Sequence, residues 1–397
     1  MVKVERPGTG DDTRAWGPPF VTDTQGHETD LSAYFLCANR NKRSIALDLA
    51  SAEGAETIRR LVAWADVVVE NYKPGDLARR GLHHADLAPL RPGLVWCSIS
   101  GFGREGADAA RTGYDFLVQA MGGIMSLTGD PEGAPMKVGV GIADVMCGMY
   151  AATGILAALR HRDRTGEGQR IDVALYDAQL AWLINAATNV LVSGKPPRRM
   201  GNRHPNIAPY QTCAAADGTL AVAIGNDAQF ARFAALLGRA ELAADPRFAS
   251  NRARVANVDA LEAEIAPLLA VAGVSDWVKR LTAAGLPAGP VRGVAEVLAD
   301  PDTAARGMVQ TLPAEPGLPP IRLLGNPLRL SRTPVRPPQR PPHLDEDRAA
   351  VLRLLTLGVE NQSNGALTHL RGKLVRGLAH DAPSYSGVGA SGKPGAV

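Results

Sequence analysis

The four cysteines of this sequence, Cys37, Cys97, Cys147 and Cys213, stand far apart, and no CxxC pair occurs. That argues against a zinc site or a disulfide framework, and four thiols without a pattern suit a reducing cytoplasm. There is no Lys/Arg run and no basic stretch interleaved with aromatics, and the formal charge is only +3. Nucleic acid is therefore not the expected main partner, whereas a few arginines meeting a phosphorylated ligand suit this balance. The opening MVKVERPGTGDD lacks the apolar core of a secretory signal. What is present is apolar bulk. Hydrophobic residues make up 45% of 397, enough for a sizeable core in two or three domains. One long apolar stretch, VGVGIADVMCGMYAATGILAAL from Val138 to Leu159, raises the question of a membrane span. Its glycines and its single acid, Asp144, argue against one.

Ser44 to Leu49 reads as a strand, and Ala52 to Ala65 as a helix with Ile58, Leu61 and Val62 on one face. The valine run between Asp66 and Glu70 reads as a buried parallel strand. Strand, helix and strand within about thirty residues make a βαβ unit. PGDLARRGL opens a further helix with Pro74 in its first turn, and GLVWCSISGFGREG is a strand running into a glycine-rich loop. The fold class is therefore α/β, a doubly wound sheet. In such sheets ligands lie beyond the carboxyl ends of the strands. Asn71-Tyr72-Lys73 and Ser100-Gly101-Phe102-Gly103 fall at two such ends, with plain turn residues as the alternative.

Val138 to Ile142 reads as another strand end, followed by a helix from about Val145 to His161. Ile171, Val173 and Leu175 alternate as a strand does, and Asp177 is placed to cap the next helix. The expected division is a large α/β domain over 1–200, a smaller α+β domain over 210–301 and a return segment over 302–358. The tail over 359–397, rich in Gly, Ser and Asn, reads as disordered.

Asp144 stands where an N-cap would, and alanine there would cost about 1 kcal/mol. Its neighbours Gly139, Gly141, Gly148 and Gly154 allow a second reading. Glycine inside a helix is unfavourable, so Gly148 and Gly154 imply a close approach to a sheet or a ligand. A carboxylate at a helix N-terminus stays ionised, and facing a cleft it is a usable nucleophile. The first-turn N–H groups could also steady an oxyanion.

Several blocks in order, VKVERPGTGDDTRAWGPPF, NRNKRSIALDL, ADVVVENYKPGDLARRGL, SISGFG, RTGYDFLVQAMGGIMSLTG, VGVGIADVMCGMYAATGILAALRHRDRTGEGQRIDVALYDA and GNRHPNIAPYQ, resemble the class III coenzyme A transferases. The resemblance runs from Met1 to about Leu355. It implies a Rossmann-like large domain, a small domain and an interlocked homodimer. It also implies acyl-CoA and a carboxylic acid as substrates, with no permanently bound cofactor, and it assigns Asp144 as the nucleophile that forms an aspartyl anhydride and then an aspartyl-CoA thioester. Arg6, Leu47, Asn71, Tyr72 and Arg79 match the positions that contact CoA, with Tyr72 suited to pack on the adenine. Tyr34 and Tyr114 match positions near the reacting centre.

The closest look is to dicarboxylate transferases with succinyl-CoA as donor, and Arg111 or Arg203 could neutralise a distal carboxylate. His204 reads as structural. An α-methylacyl-CoA racemase is the alternative within the superfamily, although its GHD motif is GYD here, at Tyr114; an inactive truncated member is the other. Family members begin about thirty residues earlier, with a strand, so unpaired sheet backbone is an expectation. The family's C-terminal LGEHT pattern is reduced to PHLDEDRAAVL, and the lid loop of formyl-CoA transferase is not evident.

Overall fold

The computed structural model describes residues 1–313, 315–363 and 375–378. The chain divides into two compact units. One comprises Met1–Val118, Ile142–Gln179 and the described residues from Gly307 onward; the other comprises Gln119–Gly141 and Leu180–Arg306.

The first unit is built on six parallel strands in the spatial order Arg43–Ala46, Val2–Glu5, Val375–Leu378, Val67–Glu70, Val95–Ser100 and Arg170–Ala174. Alternate side chains leave a strand on opposite faces. Val68 and Trp96 therefore pack with Ile58, Leu61 and Val62 of the helix Ala52–Trp64. Val67, Val95 and Cys97 pack on the other face with Ala151, Ile155 and Ala158 of the helix Ile142–Thr165. Ser51 caps the first of these helices, its hydroxyl accepting from Gly54 N at 3.0 Å. A side chain at Gly54 would strike the Asp48 carbonyl, so the turn into that helix requires glycine.

The strand Val2–Glu5 is paired on both sides, with Arg43–Ala46 and with Val375–Leu378. At the sheet edge, Ser44 N and Ala46 N donate to the carboxylates of Asp347 and Asp345 at 2.9 and 2.7 Å. Arg348 donates to the Ala46 carbonyl. PHLDEDRAAVL thus covers an edge strand with side chains in place of a neighbour.

In the second unit, Tyr210–Ala215 and Gly218–Ala223 form an antiparallel hairpin extended by Ala288–Pro290. Its core gathers Phe230, Phe233, Phe248, Ile265, Trp277 and Leu281. Arg254, 0% exposed, donates from all three nitrogens, to Ala208 O at 2.7 Å, Phe248 O at 2.9 Å and Asp227 at 2.7 Å. It also lies 4.4 Å over the Phe230 ring.

Several expectations need correction. Residues 119–141 and 180–200, read as part of the large domain, group with the second unit, and the return begins at Gly307. Val138–Gly141 form no strand; the Gln119 side chain serves them instead, accepting from Val138 N at 2.9 Å and donating to Val140 O at 3.3 Å. PGDLARRGL holds only a short 3₁₀ turn at Ala78–Arg80, ended by Gly81 at φ +63°. The helix after the Arg170–Ala174 strand begins at Leu175, which puts Asp177 inside its first turn. Of the tail expected to be disordered, only the helix end through Ser363 and the strand Val375–Leu378 are among the described residues.

Candidate functional site

Three loops of the first unit converge by direct contacts. The strand Val95–Ser100 ends in a turn in which Ser100 Oγ accepts from Gly103 N at 3.0 Å. Gly101 and Gly113 face each other so closely that a Cβ on either would overlap the other's backbone. That contact carries the GYD motif to the sheet end, and Asp115 then reaches the helix start, its Oδ1 accepting from Ala143 N at 2.8 Å.

The helix begins at Ile142, three residues before the expected start, so Asp144 lies in its first turn and Asp115 satisfies the Ala143 N–H instead. The N-cap reading of Asp144 is thereby replaced. The Ala143 N–H is also occupied and cannot serve an oxyanion. Asp144 is exposed, yet the protein mass around its carboxyl withholds hydration. Burial first, and the neighbouring Asp115 charge second, raise its pKa to about 6. Among the described residues no ion pair reaches it. An acid at that value is still mostly ionised at pH 7 and is more basic than an ordinary aspartate.

Tyr34 lies in the same field. Burial, then the charges of Asp144, Cys37 and Asp115, raise its hydroxyl, while its ring packs edge-on against Trp16 at 4.9 Å. Tyr114 is exposed beside Asp115. One turn along the helix, the Cys147 thiol is pushed up to about 12 by burial and by the Cys97 and Asp144 charges, which makes it a poor nucleophile. Neither helix glycine marks a close backbone approach within this chain: a side chain at Gly148 would meet open space, and one at Gly154 would make ordinary contact with Ile171.

The five residues matched to CoA contacts divide in two. Asn71 and Arg79 are exposed, and Arg6 is half-buried. Arg79 pairs with Asp76 and Arg6 with Asp12, and the Arg6 Nε is buried without a hydrogen-bond partner among the described residues. Leu47 and Tyr72 belong to the core, 5% and 6% exposed, packed with Leu77 and Trp96. The Tyr72 ring is therefore not placed to stack on an adenine.

In the second unit, Arg203 is already bound by Asp259 and Glu262, which removes it as a free carboxylate receptor. His204 is held structurally, its Nδ1 accepting from Asn206 N at 3.0 Å. Arg111 stacks over Phe102 at 5.1 Å and approaches Asp108 at 3.8 Å. Among the described residues no cluster of three or more His, Cys, Asp or Glu is arranged to hold a metal. Sequence reading missed Asp115, although the acid of GYD was in view, and it missed the pair Glu70 and Arg104, joined only by the fold.

A parallel sheet whose loops gather around a carboxylate with no ion-pair partner among the described residues is the arrangement of an α/β ligand site beyond the carboxyl ends of the strands. The chain belongs to CoA-transferase family III, whose family model matches residues 1–348. It is 47% identical over 359 residues to the succinate–glutarate CoA-transferase of Agrobacterium fabrum, covering 89% of this chain and 88% of that protein. It is 40% identical over 353 residues to the acetyl-CoA:oxalate CoA-transferase of Acetobacter aceti, covering 88% and 87%. The crystal structure of a CaiB/BaiF family protein from Brucella suis superposes with a TM-score of 0.76 at 48% identity, covering 89% of this chain and 91% of that one. The chain is thus a CoA-transferase, which moves CoA from an acyl-CoA to a free carboxylic acid.

Proposed function

We propose that the donor is succinyl-CoA, that the acceptor is a dicarboxylic acid, and that Asp144 carries the acyl group. The observation behind the mechanism is an accessible carboxylate with no cation paired to it among the described residues, raised to about 6 and set at a helix start. The named relatives, a succinate–glutarate and an oxalate transferase, support the acceptor class, since each uses a dicarboxylate. An Asp144 oxygen attacks the thioester carbonyl, the C–S bond breaks, and CoA leaves as thiolate. The thiolate then attacks the aspartyl carbonyl, releasing the donor acid and leaving aspartyl-CoA. The acceptor carboxylate attacks that thioester, freeing thiolate and forming a second anhydride. Thiolate attack on its acceptor carbonyl gives the new acyl-CoA and restores Asp144. Splitting one transfer into activated exchanges is covalent catalysis.

In this reading Asn71, Arg6 and Arg79 face the CoA moiety, the arginines meeting its phosphates. Leu47 and Tyr72 shape that site from the core, and Tyr34 and Tyr114 border the reacting carbonyl. The all-parallel sheet supports a Rossmann-like description of the first unit. The helix Ile142–Thr165 is long and apolar enough to cross a membrane. One face packs on the sheet, while Val145, Met149, Tyr150 and Leu156 are exposed, and a second copy of the chain covering them gives the homodimer. The four free thiols suit a cytoplasmic setting.

The test is incubation with succinyl-CoA and glutarate, oxalate or acetate, with mass spectrometry of the CoA esters formed. A glutaryl- or oxalyl-CoA product supports the reading. Exchange of an α-proton with solvent and no change of acceptor would instead establish racemisation.

A further inference from the structure

The loop that follows the strand Val67–Glu70 is tied down by a buried ion pair. The Glu70 side chain is fully buried and that of Arg104 is 8% exposed. Glu70 Oε2 accepts from the Tyr72 N–H at 2.9 Å. Arg104 Nη2 pairs with Glu70 Oε1 and donates to the Tyr72 carbonyl at 3.2 Å. Both polar backbone groups of Tyr72 are thus bonded to the two members of one pair, while its ring is sunk in the core. The indole N–H of Trp96 steadies the assembly at 3.4 Å from Glu70 Oε1 and 3.2 Å from Ser98 Oγ. Arg104 arrives from the next strand's glycine turn, which Gly103 closes at φ +90°.

Unlike Arg254, whose three nitrogens are all bonded, Arg104 has a buried Nε with no hydrogen-bond partner among the described residues. Buried ion pairs can often be replaced by apolar side chains without loss of stability, and an orphan buried donor is itself unfavourable, so stability alone does not account for the pair. What the pair achieves is positional. With Tyr72 held by ring, N–H and carbonyl, the flanking Asn71 is exposed and Lys73 is half-buried.

We propose that Glu70 and Arg104 are positioning residues for CoA recognition: they clamp the Tyr72 peptide and so fix Asn71 and Lys73 for the CoA part of the substrate. This rests on the reading of Asn71, at the head of this loop, as a CoA contact.

Four variants of the full chain separate this role from a structural one: Asn71→Ala, the single variants Glu70→Gln and Arg104→Met, and their combination, the double variant. Each single variant leaves one buried group without its charged partner and lowers the melting temperature. The double variant removes both charges and recovers much of that loss. The clamp predicts that in the double variant KM for succinyl-CoA nevertheless stays raised, by about tenfold, with kcat and the acceptor KM within about threefold of wild type. Should the double variant not fold, Glu70→Gln, which keeps an acceptor for the Tyr72 N–H, is expected to show the same selective rise to a smaller degree. A normal KM for succinyl-CoA in the double variant while Asn71→Ala raises it leaves the loop reading standing and overturns the clamp. No effect of either overturns both. A fall in kcat with unchanged KM also overturns the clamp.

Discussion

Glu5 and Asp144 are two acids of the same unit, and their surroundings push them in opposite directions. Glu5 ends the first strand, fully buried, with Arg14 donating to it at 2.9 and 2.8 Å, Ser44 at 2.6 Å and the Asp11 N–H at 3.0 Å. Burial alone would raise its pKa. The hydrogen bonds of Arg14 and Ser44 and the charges of Arg14 and Lys3 outweigh that and leave it below the ordinary range. Asp144 is also short of water, but its charged neighbour is another acid, and it rises to about 6. Loss of hydration does not by itself tell a strut from a reactive group; the sign of the neighbouring charge does.

The contrast breaks most visibly by substitution. Asp144→Asn is expected to lower CoA exchange by about 10³-fold or more, because the amide cannot form the acyl intermediate. Its melting temperature at neutral pH should hold or rise. An acid with a raised folded pKa binds its proton more tightly when folded, so its charged form opposes folding above that pKa. A clear fall in melting temperature for Asp144→Asn would assign the residue to the fold.

Arg14→Met does the reverse. It leaves Glu5 buried without its cation, at a cost of about 3–5 kcal/mol, and the melting temperature should drop by roughly 10 °C. Turnover per folded molecule should be preserved, as checked by exchange assays well below the transition.

The pH dependence separates the two acids in one titration. The activity limb should fall as pH drops through about 6, where Asp144 takes up its proton. Asp115→Asn should move that limb to lower pH by removing the like charge. The fold should outlast activity. Glu5, held below its ordinary value, and Asp11, at about 2 where the Lys3 charge and hydrogen bonds overcome burial, contribute stability above their unfolded pKa values. That stability is lost only as pH falls towards their folded values. Circular dichroism and exchange rates along the same pH series check the order. The smallest effect concerns the sheet edge: Asp347→Ala removes the acceptor for Ser44 N and should cost about 1 kcal/mol, read by urea denaturation.

The sequence reveals what depends on period and composition. The valine strand and the helix over Ile58, Leu61 and Val62 follow from patterns within one segment. Asp144 stood out as a lone acid among apolar neighbours. What the sequence hid depends on partners far along the chain. Gln119 replaces a strand partner for Val138–Val140, Asp115 takes a helix cap 28 positions away, and Asp345 and Asp347 pair with an edge strand about 300 residues earlier. Tyr72 was misjudged for the same reason, since an aromatic at a strand end shows in sequence neither which way its ring turns nor that Arg104 arrives beside it.

The most direct measurement is peptide mapping by mass spectrometry after hydroxylamine quench of the enzyme turning over succinyl-CoA. Conversion of the Asp144 side chain to a hydroxamate, dependent on succinyl-CoA and absent in Asp144→Asn, is the predicted result. Sustained CoA exchange with an unmodified Asp144, or with the label on another residue, contradicts it.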